Sequence, residues 1–386
     1  MLPCAEGDRR YTFDSDQPLV SVVIPAFNAS TYIERTLRSA LRQTYTGLEI
    51  IVVNDGSTDH TAKLVERMAM SDSRIRLLST SNRGVAAARN TGIETSSGQF
   101  VAFLDADDLW HRTKIKKQVN ALNPLSSRWA AVYALHHIIN EDDEIVLPGS
   151  SDVARGYIYA RHLTFKYVGN GSGLLVRRNV ALEIGGFDSS YAAAGIGGCE
   201  DLDFELKIAA RYFIEVVPEA LVGYRKHPGS MSSNHLQMGK SALEVVRRSL
   251  AANPQIPRYA VRSAMDATHK YAFWEFRQTQ RTYLSLVTMQ SIFRTDPIFM
   301  VLLVLQKGLR RLRHCLGCGM TAAKVEDPRR MNRSKFGDQI AASVLDQSKA
   351  TPRLRRRLTR LAEVDASLNQ QLVPSERNLT RRRVER

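Results

Sequence analysis

The chain is expected to fold as α/β: a mostly parallel sheet flanked by helices, followed by an α-helical C-terminal extension. Three features carry that expectation. Short apolar runs alternate with stretches of helical period from residue 19 to residue 104. Those runs lack the in–out alternation of half-exposed strands, as strands buried on both faces do. From about residue 240 no strand pattern returns.

Residues 1–17 are polar and are expected to be flexible. Leu19–Ile24 forms the first strand, closed by Pro25. Residues 29–43 have helical period, with Ile33, Leu37, Ala40 and Leu41 on one face. Leu48–Val53 is the second strand. Thr58–Met70 is the second helix, with Ser57 or Thr58 as N-cap. Ile75–Leu78 is the third strand, Gly84–Thr95 the third helix and Gln99–Leu104 the fourth strand. Links this short between such elements demand right-handed crossovers and a parallel sheet. Further strands are expected at 129–138 and 172–177, a helix at about 200–211 after the loop Gly195–Gly198, and two short strands at 213–217 and 220–225. The Gly and Ser residues at 169–173 lack the spacing and strand–helix context of a dinucleotide fingerprint.

The fourth strand ends abruptly in Asp105, Asp107 and Asp108. Clustered acids at a buried strand's end are costly unless a cation neutralises them. Carboxylate oxygens suit Mg²⁺ or Mn²⁺, and open α/β sheets bind ligands beyond the carboxyl ends of their strands. The tip is therefore a candidate metal–diphosphate site. A solvated Asp-rich turn is the plain alternative.

The 386 residues carry a net charge of +15, and residues 351–386 hold ten Lys or Arg against four acids. A basic end implies an anionic partner, either a membrane surface or nucleic acid. The four cysteines (Cys4, Cys199, Cys315 and Cys318) are too few and scattered for a disulfide framework, so a reducing, cytoplasmic location is expected. Cys315–Cys318 has zinc-knuckle spacing without a second pair. Arg9 and Arg10 are not followed by the apolar stretch of a signal peptide. The longest apolar run, Ile298–Leu305, falls far short of the roughly 20 residues that span a bilayer.

Six stretches together resemble one family: VVIPAFN (22–28), VNDGSTD (53–59), NRGVAAARNTG (82–92), FLDADDLW (103–110), GGFD (185–188) and CEDLDF (199–204). In this order and spacing, residues 18–235 look like a family 2 glycosyltransferase, the inverting kind with the Rossmann-like GT-A fold. The resemblance does not reach the helical end. With the composition and periodicity outside it, four parts are expected: a flexible stretch at 1–17, the transferase domain at 18–235, a helical extension at 236–318, and a basic, partly disordered or helical tail at 319–386.

The resemblance also assigns roles. Pro25, Ala26 and Asn28 would cup the nucleotide base. Asp55 would accept the N3–H of uracil, which fits UDP-sugar donors; the alternative is that Asp55 and Asp59 only shape the turn and cap the next helix. Arg89 would pair with the diphosphate or with the acidic tip, a plain surface Arg being the alternative, and Asn90 is a lesser candidate for the same pocket. Asp107 would ligate Mn²⁺ or Mg²⁺ directly. Asp105 would support that ion or reach the ribose, and Asp108 would cap the following turn. The segment 224–232, YRKHPGSMS, matches the family's closing stretch, and its His227 would reach the diphosphate or metal. Inversion needs a base opposite the leaving group. Asp201 takes that role, Glu200 positions the acceptor, and Asp203 is structural. The acceptor would be a hydroxyl-bearing glycan, a lipid-linked sugar or a protein, in surface polysaccharide or glycolipid synthesis.

Two apolar stripes flank Arg clusters: Leu302, Leu305, Leu309, Leu312 and Leu316, and Leu354, Leu358, Leu361, Val364, Leu368 and Leu372. Each can pack on the domain or lie on the cytoplasmic face of an anionic membrane. The competing function is a membrane- or nucleic-acid-binding scaffold with a vestigial transferase domain. Nucleic acid is disfavoured because the tail lacks interleaved aromatics. Intact Asp105, Asp107 and Asp201 oppose a vestigial site. A nucleotidyltransferase would need a basic, Gly-rich loop where Pro25–Asn28 stands.

Overall fold

The computed structural model describes residues 17–149, 152–279, 281–301, 335–336 and 352–384. Its centre is a nine-stranded sheet in the order β3-β2-β1-β4-β8-β6-β9-β5, with β7 also paired to β6. Strands β1 (Val20–Ala26), β2 (Leu48–Asp55), β3 (Ile75–Thr80) and β4 (Phe100–Phe103) run parallel. Helices α1 (Ile33–Leu41), α2 (Thr61–Ser71) and α3 (Val85–Thr95) connect them. The chain moves outward from β1 to β3, then returns to place β4 on the other side of β1. Strand order therefore reverses between β1 and β4, where such sheets leave a crevice.

Beyond β4 the sheet becomes mixed. β5 (Leu109–Trp110), β6 (Trp129–Ile139), β7 (Ile145–Pro148), β8 (Leu174–Arg177) and β9 (Phe213–Arg225) pair mostly antiparallel, β6 with β9 being parallel. The two short strands expected at 213–217 and 220–225 are one strand. Val217 faces Ala134 and Ala220 faces Leu135, so Pro218 and Glu219 bulge out of register. Proline cannot donate a ladder bond, and a bulge absorbs it without ending the strand. The second helix starts at Thr61 rather than Thr58. Asp59, not Ser57 or Thr58, holds its first turn, accepting from the Thr61 N–H at 2.9 Å.

Successive residues of a strand point to opposite faces, and the core divides accordingly. Val20, Val22 and Ile24 of β1 and Phe100 and Ala102 of β4 pack on one side, with Ile33 and Leu37 of α1 and Ile115 of α4 (Lys114–Leu122). Val23, Val101 and Phe103 pack on the other. There Gly92 of α3 lies so close to β1 that a Cβ would come within 2.2 Å of Val23 Cγ1. This second side also holds α5 (Tyr159–Thr164), α6 (Arg178–Glu183), α7 (Ser190–Ala193) and α8 (Glu200–Ala209). The extension adds α9 (His235–Ala252), α10 (Arg258–Gln278) and α11 (Thr282–Thr295).

The last helix, α12 (Pro352–Val384), carries the second stripe, for which domain packing and membrane contact were both open. Its stripe does not face outward for a membrane. Leu361 is fully buried and Leu368 nearly so, both in the core beside α5 and α10, with Val364 and Leu372 packed against them. Each buried Leu contributes about 1.5–3 kcal/mol. Asp365 accepts from Ala160 N at 2.6 Å and from Arg161 Nε at 2.7 Å. Basic residues of the tail also serve docking: Arg357 Nη2 donates to Ser263 O at 2.6 Å, and the Arg360 guanidinium lies 4.0 Å from the Tyr259 ring centroid. The 302–316 stripe and Cys315–Cys318 lie outside the described residues.

Docking of α12 predicts that Leu361→Ala lowers unfolding free energy by about 2–5 kcal/mol, measured by urea denaturation. A free tail helix would leave the midpoint unchanged.

Candidate active site

A cleft of about 1170 Å³ opens over the carboxyl ends of β1, β2 and β4. Pro25, Ala26 and Asn28 form one wall, Asp55 and the start of α3 the next, and the acidic tip after β4 the floor. Glu200 and Asp201, at the start of α8, face it from the other half of the domain, and His227 from the loop after β9. The structure thus brings the expected site residues to one cavity, Asn90 and Asp108 excepted.

Each wall is fixed by its own hydrogen bonds. Asn28 has φ of 50°, a conformation Asn tolerates better than most residues. Its N–H donates to Ser57 Oγ at 3.0 Å, and its Oδ1 accepts from Thr58 N at 2.8 Å. These bonds lock the β1 and β2 loops together. Asp55 is buried and accepts from Arg83 N at 2.9 Å and Gly84 N at 2.8 Å. It therefore ties down the loop entering α3 while still lining the cleft. Asp59 accepts from Ser30 N at 3.0 Å as well as from Thr61; burial pushes its pKa up, but these bonds bring it to about 2.

The three carboxylates of the tip have distinct environments. Asp105 Oδ1 is 2.6 Å from Arg89 Nη2. Arg89 is buried, its guanidinium 5.0 Å from the Phe187 ring centroid, and its Nε has no partner among the described residues. Asp108 is fully buried. It accepts from Ser172 Oγ and Asn170 Nδ2, both at 2.6 Å, and from Arg225 N at 2.9 Å. Burial, with Asp107 and Asp105 nearby, pushes its pKa well up, and these bonds oppose that rise. Asp108 is thus a structural anchor across the sheet and not the cap of the following turn that the sequence suggested. Asp107, like Asp105, lines the cleft. Its Oδ2 is 3.0 Å from His227 Nε2, and its pKa is raised by burial and by Asp105, with His227 opposing.

Asp107 and His227 together offer one carboxylate and one imidazole. Among the described residues no group of three or more His, Cys, Asp or Glu is arranged to hold an ion alone. The donor set fits an ion that completes its shell with ligand oxygens. Mn²⁺ accepts the imidazole nitrogen more readily than Mg²⁺ does.

Across the cleft, Glu200 is buried and accepts from Gly198 N at 2.8 Å; burial raises its pKa. Gly198 has φ of 120°, which only glycine adopts without strain. Asp201 Oδ1 accepts from its own helix at Leu202 N, 2.8 Å, and Oδ2 lies 2.8 Å from Lys166 Nζ. Burial pushes the Asp201 pKa up, but Lys166, and to a lesser degree Arg89, hold it below the usual carboxylate value. Asp203 turns away to Tyr191 and Lys207. Asn90 does not join the cleft. Its side chain accepts from Phe187 N and donates to Phe187 O, both at 2.8 Å, which pins the GGFD stretch to α3.

Sequence reasoning missed three contributors: Ser172, Arg225 and Lys166. Arg225 was within a recognised stretch, but nothing in its spacing marks it as buried. Lys166 and Ser172 belong to no quoted motif.

Comparison with known proteins gives a consistent picture. Residues 21–150 match the profile of Glycosyl transferase family 2. An uncharacterized glycosyltransferase of Haemophilus influenzae is 32% identical over 249 residues, 60% of this chain and 73% of that protein. The Escherichia coli UDP-Glc:alpha-D-GlcNAc-diphosphoundecaprenol beta-1,3-glucosyltransferase WfgD is 39% identical over 128 residues, 33% of this chain and 49% of that one. The chain spans less than half the length of the first curated relatives it matches. Among solved structures, a mannosyltransferase from Pyrobaculum calidifontis in complex with GDP-Man and Mn²⁺ shares the fold, with a TM-score of 0.51 at 18% identity over 77% of this chain and 81% of that one.

Arg225 is buried with its backbone N–H on Asp108 and its Nε on Asp107 O at 2.7 Å. Arg225→Met keeps the backbone bond to Asp108 but removes the side-chain bonds to Asp107 O, Asn140 O and Asp143, and is expected to cost about 1–3 kcal/mol of stability. Urea unfolding measures it, and a change within about 0.5 kcal/mol would contradict a structural role.

Proposed function

From a chain that belongs to glycosyl transferase family 2, we propose an inverting glycosyltransferase that moves a sugar from a UDP-sugar to a hydroxyl of a lipid-linked saccharide. The observation that carries this reading is the opposition, across one cleft, of the acidic tip at Asp107 and the carboxylate of Asp201.

Pro25, Ala26 and Asn28 form a flat wall for the base, with Asp55 beside them. The unpartnered Nε of Arg89 is available to a phosphate oxygen at little further desolvation cost. Asp107 and His227 would hold the divalent ion, with Asp105 fixed beside them by Arg89. A bound ion would supply Lewis-acid neutralisation of charge on the departing diphosphate. Asp201 takes the proton from the acceptor hydroxyl as that oxygen attacks the anomeric carbon, and the bond to the diphosphate breaks on the opposite face. Glu200, held by Gly198 N, orients the acceptor. The choice of a UDP-sugar and a lipid-linked acceptor follows WfgD, whose name specifies both. Such an acceptor implies work at a membrane surface, although no helix among the described residues is long and apolar enough to cross one.

The test is transfer from UDP-glucose to a synthetic GlcNAc-diphospholipid in Mn²⁺, with the product anomer read by NMR. A β-linked product is expected. Asp201→Asn is expected to lower turnover by about 10²–10⁴-fold while UDP affinity stays nearly unchanged; lost UDP affinity with normal turnover would move Asp201 to the donor site. Asp107→Asn, or excess EDTA, is expected to abolish transfer, and full activity under chelation would refute the ion's role.

A further inference from the structure

Lys166 lies just after α5 and belongs to none of the motifs the family resemblance rests on. Its ammonium is 2.8 Å from Asp201 Oδ2, and the two side chains are 35% and 16% exposed. We propose that Lys166 is the positioning residue of the base: it aims the Asp201 carboxylate and keeps it ionised while donor is bound. This rests on the reading of Asp201 as the base.

The surroundings of Asp201 show why a cation is needed. On α8, Glu200 and the fully buried Glu205 carry like charge toward it, and the Cys199 thiol adds to that field when ionised. From β9, Tyr224 contributes in the same sense only when deprotonated. Arg89, on α3, is the other cation that acts on it, but its Nη2 is engaged by Asp105. On α5, His162 is spent on Glu205, its Nε2 being 3.0 Å from Oε2, and Tyr167 N lies 3.4 Å from its Nδ1. A nucleoside diphosphate would bring two or more further negative charges into this cleft. Burial and like charges both favour the protonated acid, and a protonated Asp201 cannot accept the acceptor's proton. Lys166 makes the direct ion pair that opposes them.

The direction of the effect follows. A base works only when ionised, so kcat/KM rises with pH through its pKa. Removing an adjacent opposite charge raises a carboxylate pKa by about 1–3 units, so Lys166→Met moves the acidic limb of the profile to higher pH.

The experiment measures kcat/KM for UDP release from UDP-glucose, with Mn²⁺ and the GlcNAc-diphospholipid, from pH 4.5 to 9 for the wild type, Lys166→Met and Lys166→Arg. The proposal expects the Met limb to move up by about one pH unit or more, the Arg limb to stay near the wild type, and UDP affinity to be the same in all three. An unmoved limb in Lys166→Met overturns it. Asp201→Asn separates the two readings: if that variant keeps wild-type turnover, the assignment of the base has failed; if it is inactive while the Met limb stays put, only the role of Lys166 has failed. A second readout needs no turnover. In thermal melts from pH 4 to 8, Lys166→Met should destabilise the wild-type background most above the Asp201 pKa and lose that pH dependence in the Asp201→Asn background. The same pH dependence in both backgrounds would overturn the pairing.

Discussion

Arg225 sits at the end of β9 with no solvent exposure. Its N–H binds the Asp108 carboxylate, its Nε binds the Asp107 carbonyl, and its Nη2 reaches Asp143 Oδ1 at 2.5 Å. One residue, through its backbone N–H and its side chain, thus joins the last strand of the domain to the loop that ends β4. With it, and with Arg89 on Asp105, the tip is held so that Asp105 and Asp107 line the cleft and Asp107 meets His227. The cost of burying Asp108 is offset locally by Ser172, whose hydroxyl donates to Asp108 while accepting from Asp105 N at 3.0 Å.

The same division of charge runs through the cleft. On the donor side, Arg89 has one nitrogen on Asp105 and one without a partner among the described residues. On the acceptor side, Lys166 answers the acids of α8. Each cation leans against a carboxylate that the proposed chemistry needs in charged form. Both cations come from segments outside the sheet, α3 and the loop after α5, so the sheet supplies the acids and the surrounding layers their counter-charges.

The alternation of apolar runs up to Leu104 was enough to place β1 to β4 and their crossovers, because buried parallel strands and amphipathic helices leave different periods in a sequence. The acidic tip was legible for a similar reason: charge at the end of an apolar strand has few structural explanations. The hidden features were long-range. Ser172 and Asn170 look like loop residues until β8 brings them beside Asp108, and Arg225 looks like a surface residue until β9 buries it. The stripe at 354–372 was visible, but amphipathicity alone does not say what covers an apolar face. Its packing against α5 depends on Asp365 meeting Arg161, a pairing across some 200 positions.

The central claim is that the tip is sorted: Asp108 is buried in the protein, Asp105 is held by Arg89 at the cleft, and Asp107 is left to a bound ion. Crystals of the full chain soaked with Mn²⁺ and UDP test this directly through the manganese anomalous signal. The account predicts one peak between Asp107, His227 and the diphosphate, with Asp105 still on Arg89 and Asp108 still on Ser172. A peak bridging Asp105 and Asp108, or ordered UDP with no peak at Asp107, would contradict it.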